Sequence, residues 1–277
     1  MTVAVRPILV LDSASLYYRS FHALPESMVA PDGHPHNALR GFLSTVTRLV
    51  TAHSPASVVA CWDNDWRHQW RVDLVPTYKA HRVADASTGV EAEPESLSAQ
   101  AEAIADVLEA AGIARLGFDG FEADDVIGSL AAQDPRPSIA VSGDRDLVQI
   151  VDARTRLLLT VNGGMDKWPL LDPSAVLERF GVPADRYVDL AVLRGDPSAA
   201  DTPDHRPMTP RLAAAVTSAG TVIADAEQVA RVRTDLPVLD RAPHLDRPRL
   251  DALAQRWGVQ RQVSDLMSAL ARHTADE

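Results

Sequence analysis

Three apolar runs in this sequence end on aspartate: Ile8-Leu9-Val10-Leu11-Asp12, Val58-Val59-Ala60-Cys61-Trp62-Asp63, and Ile139-Ala140-Val141-Ser142-Gly143-Asp144-Arg145-Asp146. A fourth acidic group, Glu122-Ala123-Asp124-Asp125, opens an apolar helical segment. Taken singly, these acids have ordinary explanations. Asp12 can cap a helix, and Asp63 can open a turn with Asn64. Asp144 and Asp146 can form a capped turn that Gly143 makes sharp, and acids at 122–125 favour a helix N-terminus. Three acids within four residues exceed what a cap needs, and all of them together fall at the ends of consecutive elements. If the runs are parallel strands, the carboxylates line one sheet edge, where open α/β sheets bind ligands. Carboxylates so crowded repel one another, and a divalent cation on oxygen ligands removes that repulsion. Hard oxygen donors without nearby cysteine or paired histidine favour Mg²⁺ or Mn²⁺ over zinc. Two such ions about 4 Å apart clamp the attacking and leaving oxygens of a phosphodiester displacement, so phosphodiester hydrolysis is the first chemistry expected. Glu122 and Asp125, three residues apart, are expected on one helix face, with Asp124 pointing elsewhere. His34 and His36 have a metal-binding spacing on a Pro/Gly-rich loop and are expected to face solvent.

The elements that must position these groups follow from periodicity. Pro7–Leu11, Ser57–Trp62, Ser138–Ser142 and Arg156–Val161 read as strands, and Ile113–Phe118 as a weaker one. Helices are expected over Ala38–Thr51 with Asn37 as N-cap, over Pro94–Ala111, and from Glu122 to Ala132. Residues 64–93 show no core period, and a segment of that length between elements is usually functional. Strands alternating with helices predict an α/β fold, a mostly parallel twisted sheet with helices on both faces. After Asp172 the signals are almost wholly helical: Pro173–Phe180, Asp185–Leu193, Pro210–Ala219, Ile223–Val232, Arg249–Trp257 and Gln260–Ala271. Two parts are expected, a core over residues 1–190 and a helical C-terminal region over 191–277.

Composition narrows the class. The 277 residues are 46% hydrophobic, enough for one large domain or a domain with an appendage. A single cysteine, Cys61, excludes a disulfide framework and fits a buried, inert thiol in a reducing compartment. No signal pattern or membrane-length apolar run is present, so a cytoplasmic protein is expected. The net charge of −11 argues against nucleic acid until its distribution is considered. Residues 83–130 hold eleven acids and one base, Arg115, and the rest of the chain is nearly balanced. Just before this stretch, Arg67, Arg71, Lys79 and Arg82 face a single acid, Asp73. A basic strip beside an acidic cluster suits a polyphosphate held over metal ions. A solvated charged surface is the plainer account of any one of these bases.

The combination resembles the 5′-nuclease family, meaning flap endonucleases and the 5′→3′ exonuclease domain of bacterial DNA polymerase I. The similarity covers roughly residues 7–198. It is carried by Leu11-Asp12 with Tyr18-Arg19-Ser20-Phe21-His22-Ala23, by Trp70-Arg71 with Tyr78-Lys79-Ala80-His81-Arg82, by Glu122 through Leu130, by Ser142 through Leu147, and by Leu193-Arg194-Gly195-Asp196. The resemblance implies a PIN-like core with an arch over residues 66–97. It also implies Mg²⁺- or Mn²⁺-dependent cleavage at 5′ ends, flaps or nicks of DNA, in replication and repair. Metal-ligand roles are implied for Asp12, Asp63, Glu122, Asp124, Asp125, Asp144, Asp146 and Asp196. Lys79 and Arg82 match the pair that contacts the scissile phosphate, where a cation stabilises developing charge. Tyr18, Arg19 and Arg71 would contact DNA, the two arginines through backbone phosphates. Tyr18, Trp66 and Trp70 are candidates to stack on unpaired bases, with core packing the alternative.

Two departures from the family pattern stand out. Where the family has a second aspartate three residues after the Asp196 position, this sequence has Ala199, with Asp201 out of register. The family's Gly-rich hairpin is replaced by Asp201-Thr202-Pro203-Asp204-His205-Arg206-Pro207-Met208-Thr209-Pro210, which has no glycine. Without glycine the backbone cannot easily approach a phosphate, so no K⁺ site and weaker duplex binding are expected. A metal-dependent 5′-nuclease acting as a monomer is the leading expectation. A non-catalytic paralogue that binds branched nucleic acid and a PIN-type ribonuclease are the alternatives.

Overall fold

Strands β1 (Ile8–Asp12) and β6 (Ser138–Ser142) are buried along their whole length, as only strands covered on both faces can be. This is why their sequences are continuous apolar runs rather than alternations. The computed structural model describes residues 5–64, 67–80, 83–85, 90–91, 94–194, 220–238 and 243–274. Its main sheet has six strands in the order β5 (Ala114–Leu116), β2 (Ser57–Cys61), β1, β6, β7 (Thr155–Leu159), β8 (Leu170–Leu171). All pairings are parallel except β7 with β8. Ile8 lies opposite both Ser57 and Ser138, so the chain leaves β1 towards one side of the sheet and later returns to its other side. The strand order therefore reverses at β1/β6, and the crevice beyond the carboxyl ends of those strands is the natural ligand site.

Helices cover both faces. One face carries α1 (Ser13–Ala23), α2 (Asn37–His53) and α4 (Glu95–Ala110), and the same apolar cluster takes in α9 (Arg247–Trp257) and α10 (Gln260–Thr274). The other face carries α5 (Ala123–Gln133), a 3₁₀ turn over Arg145–Ile150, α6 (Pro173–Phe180) and α7 (Tyr187–Arg194). Helix α8 (Gly220–Ala230) leads into a stretch whose Val232 and Leu236 join this second cluster. The boundary expected at 190/191 is thus not a packing boundary among the described residues. Leu250, Ala254, Trp257, Val259, Val263, Leu266 and Ala269 are buried in one core with α2 and α4.

Local chemistry explains several differences from expectation. Helix α1 was hidden because it follows β1 with no intervening turn. Asp12 caps it, accepting from the Ser15 N–H at 3.0 Å. Asn37 is not the N-cap of α2. It is the first helical residue, and its side-chain amide donates to the carbonyls of Phe21 (2.8 Å) and Leu24 (3.0 Å). The open N–H groups of Ala38 and Leu39 are taken instead by the Gln100 side-chain oxygen from α4, at 2.7 and 3.2 Å. His36 is buried rather than solvent-facing, its Nδ1 2.5 Å from the Trp257 carbonyl, whereas His34 is exposed beside Asp32. Residues 64–93 contain α3 (Gln69–Leu74) and a short antiparallel pair, β3 (Val83–Asp85) with β4 (Val90–Glu91). No helix among the described residues is long and apolar enough to cross a membrane.

Candidate metal centre

The acids converge at the switch point. Asp12 ends β1, Asp63 follows β2, Asp144 and Asp146 follow β6, and Glu122 and Asp124 stand at the start of α5. Asp63 Oδ1 accepts from the Ala123 N–H at 2.6 Å and so joins the β2 edge to the α5 N-terminus. Ser142 Oγ donates to Asp12 Oδ2 at 2.5 Å and accepts from the Asp144 N–H at 2.9 Å, joining the β1 and β6 ends. Gly143 is not in the left-handed region, so it is not there to make the turn sharp. A Cβ at this position would lie 2.9 Å from Thr160 Oγ1 and 3.0 Å from Ser15 Oγ, so close approach is what excludes a side chain.

These groups act on one another's charge. Burial, then Asp63, pushes the Asp12 carboxyl up to about 7, with Asp144 adding to the effect. Burial, then Asp144, raises Asp146 to about 7. Asp124 is driven well above the ordinary carboxylate range by burial and by Asp144, Asp12, Glu122 and Asp63. Burial also raises Asp63. The neighbouring Cys61 thiol is pushed up by burial and then by Asp12, Asp124 and Asp63, which makes it an inert thiol. Asp12, Asp63, Asp124 and Asp146 are thus each raised by burial first and, after it, by at least one other acid of the group.

Asp125 stays with Glu122 on one side of α5, as the spacing predicts, and the two adjacent acids of this helix have different surroundings. Asp124 belongs to the cluster, while Asp125 turns away from it. Asp125 Oδ2 accepts from Arg71 Nη2 at 2.7 Å and from the Glu122 N–H at 3.2 Å, and Oδ1 accepts from the Arg233 N–H at 2.9 Å. The reason is the capping geometry: Glu122 is the N-cap with extended backbone, so Asp125 reaches back to it and Asp124 is left free to face the strand ends. The ligand role expected for Asp125 therefore does not fit its contacts.

Glu122 is the most heavily contacted acid. Tyr78 Oη lies 2.8 Å from each of its carboxylate oxygens, Lys79 Nζ is 2.9 Å from Oε1, and Arg71 Nη1 is 3.7 Å from Oε2. Lys79 thus reaches the cluster through Glu122, with a left-handed backbone at φ 48°. Arg71 does not meet its expected role as a phosphate contact: it is 5% exposed and also donates to the Val229 carbonyl at 2.7 Å. Arg19 is half-buried, donating to the carbonyls of Val161 and Gly163 and lying over the Trp168 ring. Tyr18 stacks on Tyr17 against the core, and Trp70 Nε1 donates to the Gly120 carbonyl at 3.0 Å. Arg82, Trp66, Asp196, Ala199 and the segment replacing the hairpin lie outside the described residues. Among the described residues no three His, Cys, Asp or Glu side chains are already arranged to hold an ion. The chain's own donors occupy Glu122 and Asp12 instead.

Residues 7–181 match the family described as 5′-3′ exonuclease, N-terminal resolvase-like domain. The chain belongs to the 5′-3′ exonuclease family. Relatives of this 5′-3′ exonuclease-family chain extend the likeness beyond the matched domain. It is 42% identical to a 5′-3′ exonuclease of Streptomyces coelicolor, covering 95% of this chain and 99% of that one. It is 40% identical to a 5′-3′ exonuclease of Mycobacterium tuberculosis, with 95% and 98% coverage. The fold is also that of the crystal structure of T5 D15 protein co-crystallised with metal ions, at a TM-score of 0.59 and 13% identity, covering 97% of this chain and 99% of that one. The architecture is accordingly PIN-like. Sequence reasoning missed Tyr78 and Ser142 as parts of this exonuclease-family site. Tyr78 adjoins Lys79, and Ser142 ends a buried strand directly before Gly143-Asp144, so both had a positional signal.

Proposed function

We propose that this chain is a 5′-nuclease that hydrolyses phosphodiester bonds at 5′ ends or 5′ flaps of DNA. The observation that carries this reading is the convergence of Asp12, Asp63, Glu122, Asp124, Asp144 and Asp146 on one sheet edge with Lys79 in contact. The donor set fits a hard divalent cation, since it is made of clustered carboxylate oxygens whose mutual repulsion a bound positive charge would relieve. These six acids would hold Mg²⁺ or Mn²⁺, with Asp196 as a further candidate. Held there, such ions would supply a more acidic water as nucleophile and Lewis-acid polarisation of phosphoryl oxygens, in a two-metal arrangement if both groups of acids fill.

The chain's own residues have separate tasks. Asp12 is held by Ser142 and by the α1 N-terminus, which fixes it in place. Lys79 stands where an ammonium would stabilise charge developing on the scissile phosphate, joined in this proposal by Arg82. Arg71 and Asp125 support the site from behind, and Arg19 ties α1 to the end of β7.

The test is cleavage of a 5′-flap and a 5′-recessed duplex with Mg²⁺ and with Mn²⁺. Short 5′ products in either ion, and their loss in chelator, are expected. No product from pure protein with either ion would overturn the reading. Melting without DNA gives an independent readout. Mn²⁺ at a hundred times its dissociation constant should stabilise the fold by about 2.7 kcal/mol.

A further inference from the structure

Lys79 has two incompatible tasks. In this structure its ammonium is ion-paired with Glu122 at 2.9 Å, and in the proposed reaction it must serve a phosphate. Glu122 is 3% exposed, so once the lysine departs, the orientation of this buried carboxylate depends on its remaining protein contacts, Tyr78 at 2.8 Å and Arg71 at 3.7 Å. Tyr78 answers this difficulty. Its hydroxyl is equidistant from both oxygens of Glu122, 2.8 Å from each, and therefore bisects the carboxylate that Lys79 holds from one side.

The tyrosine is itself firmly placed. Arg67 Nε donates to the Tyr78 carbonyl at 2.7 Å, and Arg67 Nη2 to the Pro76 carbonyl at 3.1 Å. The Tyr78 N–H donates to the Val75 carbonyl at 2.8 Å, closing the turn after α3. Its ring lies between two cations, Arg71 at 5.7 Å and Lys79 at 5.4 Å from the ring centre. Arg71 is anchored in turn to Asp125 at 2.7 Å and to the Val229 carbonyl at 2.7 Å. The backbone contacts of Tyr78 and the Arg71 guanidinium over its ring do not depend on where the lysine ammonium goes.

We infer that Tyr78 is a positioning residue: its hydroxyl keeps Glu122 oriented and hydrogen-bonded while Lys79 leaves it for the substrate phosphate. The inference rests on the reading of Lys79 given under the proposed function. It assigns no contact with DNA to Tyr78. It also explains why Arg71 is spent on Asp125 and the ring rather than on phosphate.

The test is Tyr78→Phe in the full chain, which keeps the ring between its two cations and removes only the hydroxyl. A hydrogen bond to a charged group is worth about 1.5–3 kcal/mol, so kcat on the 5′-flap substrate should fall about tenfold or more. KM for DNA should stay within about twofold, because uniform binding is not affected. Mn²⁺ binding without DNA, followed by the electron paramagnetic resonance of the free ion, should weaken, because Glu122 is less well held. In a Lys79→Ala background the same substitution should cost less than threefold in kcat, since there is no lysine left to release. Unchanged kcat and Mn²⁺ affinity in Tyr78→Phe, with Lys79→Ala severely impaired, would overturn the inference and leave the nuclease reading standing. A full, independent loss in the Lys79→Ala background would also overturn it. Full activity of Lys79→Ala would instead remove the reading on which the inference rests.

Discussion

Two adjacent acids of one helix turn, Asp124 and Asp125, separate the chemistry of this site from its support. Asp124 is half-buried among like charges, and Asp125 is fully buried against Arg71. Replacing Asp124 by Asn removes a repelling charge and one prospective ligand. Cleavage should fall by on the order of 100-fold or more, while the melting midpoint in chelator should hold or rise. Asp125→Ala strands the Arg71 guanidinium, and breaking a buried pair from one side costs about 3–5 kcal/mol. Its defect should therefore appear in urea unfolding as well as in activity. Equal destabilisation by the two substitutions would refute the division. The sequence showed that the 122–125 run was acidic beyond any capping need. It did not show which acid faces the strand ends, because that depends on where the cap falls, and a one-residue difference rotates the helix face by about 100°.

At the scale of the element, the strands were legible and the helix termini were not. A strand buried on both faces must be a continuous apolar run, so β1, β2 and β6 stood out with their terminal aspartates. Helix α2 was legible by its apolar spacing, but its N-terminal partner lies 62 residues away from Ala38, in Gln100 of α4. No local pattern reports a cap supplied from another helix. Gln100→Leu should leave two buried N–H groups unsatisfied at about 1–3 kcal/mol each, a loss readable in the denaturation midpoint without a change in the cleavage pattern. The stretch after α8 is tied down in a similar long-range way. Ser129 Oγ accepts from the Leu236 N–H at 3.1 Å, and Gln149 donates to the Ala230 carbonyl at 2.9 Å. Gly128 makes this possible, since a Cβ there would lie 2.6 Å from the Arg233 carbonyl oxygen. Gly128→Ala should cost about 1–3 kcal/mol by overpacking, and faster proteolysis between residues 220 and 238 would report the loosening. Cleavage there at the parental rate would count against this tethering of residues 230–236.

For the whole molecule, the question is how the two cores depend on the C-terminal part of the chain. The sequence reading placed a boundary near residue 190, within the almost wholly helical stretch that follows Asp172. Helix signals alone do not reveal which sheet face a helix will cover, and here they cover both. Val232 and Leu236 close the cluster under α5, and α9 with α10 close the cluster under α2 and α4. The N-terminal region therefore depends on residues far beyond the segment that carries its acids. Leu250, Trp257, Val259, Val263 and Leu266 are each under 9% exposed. At roughly 1.5–3 kcal/mol for a fully buried side chain, these five represent on the order of 10 kcal/mol. That is comparable to the entire net stability of a typical domain, about 5–15 kcal/mol. Asp246 adds a backbone bond to the Ala110 carbonyl at 2.9 Å, and Arg249 pairs with Asp106 and Glu109 at 2.6 and 2.7 Å. Those exposed pairs contribute little beside the apolar burial. A chain truncated after residue 242 should consequently lose cooperative unfolding and near-ultraviolet circular dichroism, although every described acid of the site is still present. A truncated chain that melts cooperatively within a few degrees of the full protein would show that α9 and α10 only decorate a core able to fold alone.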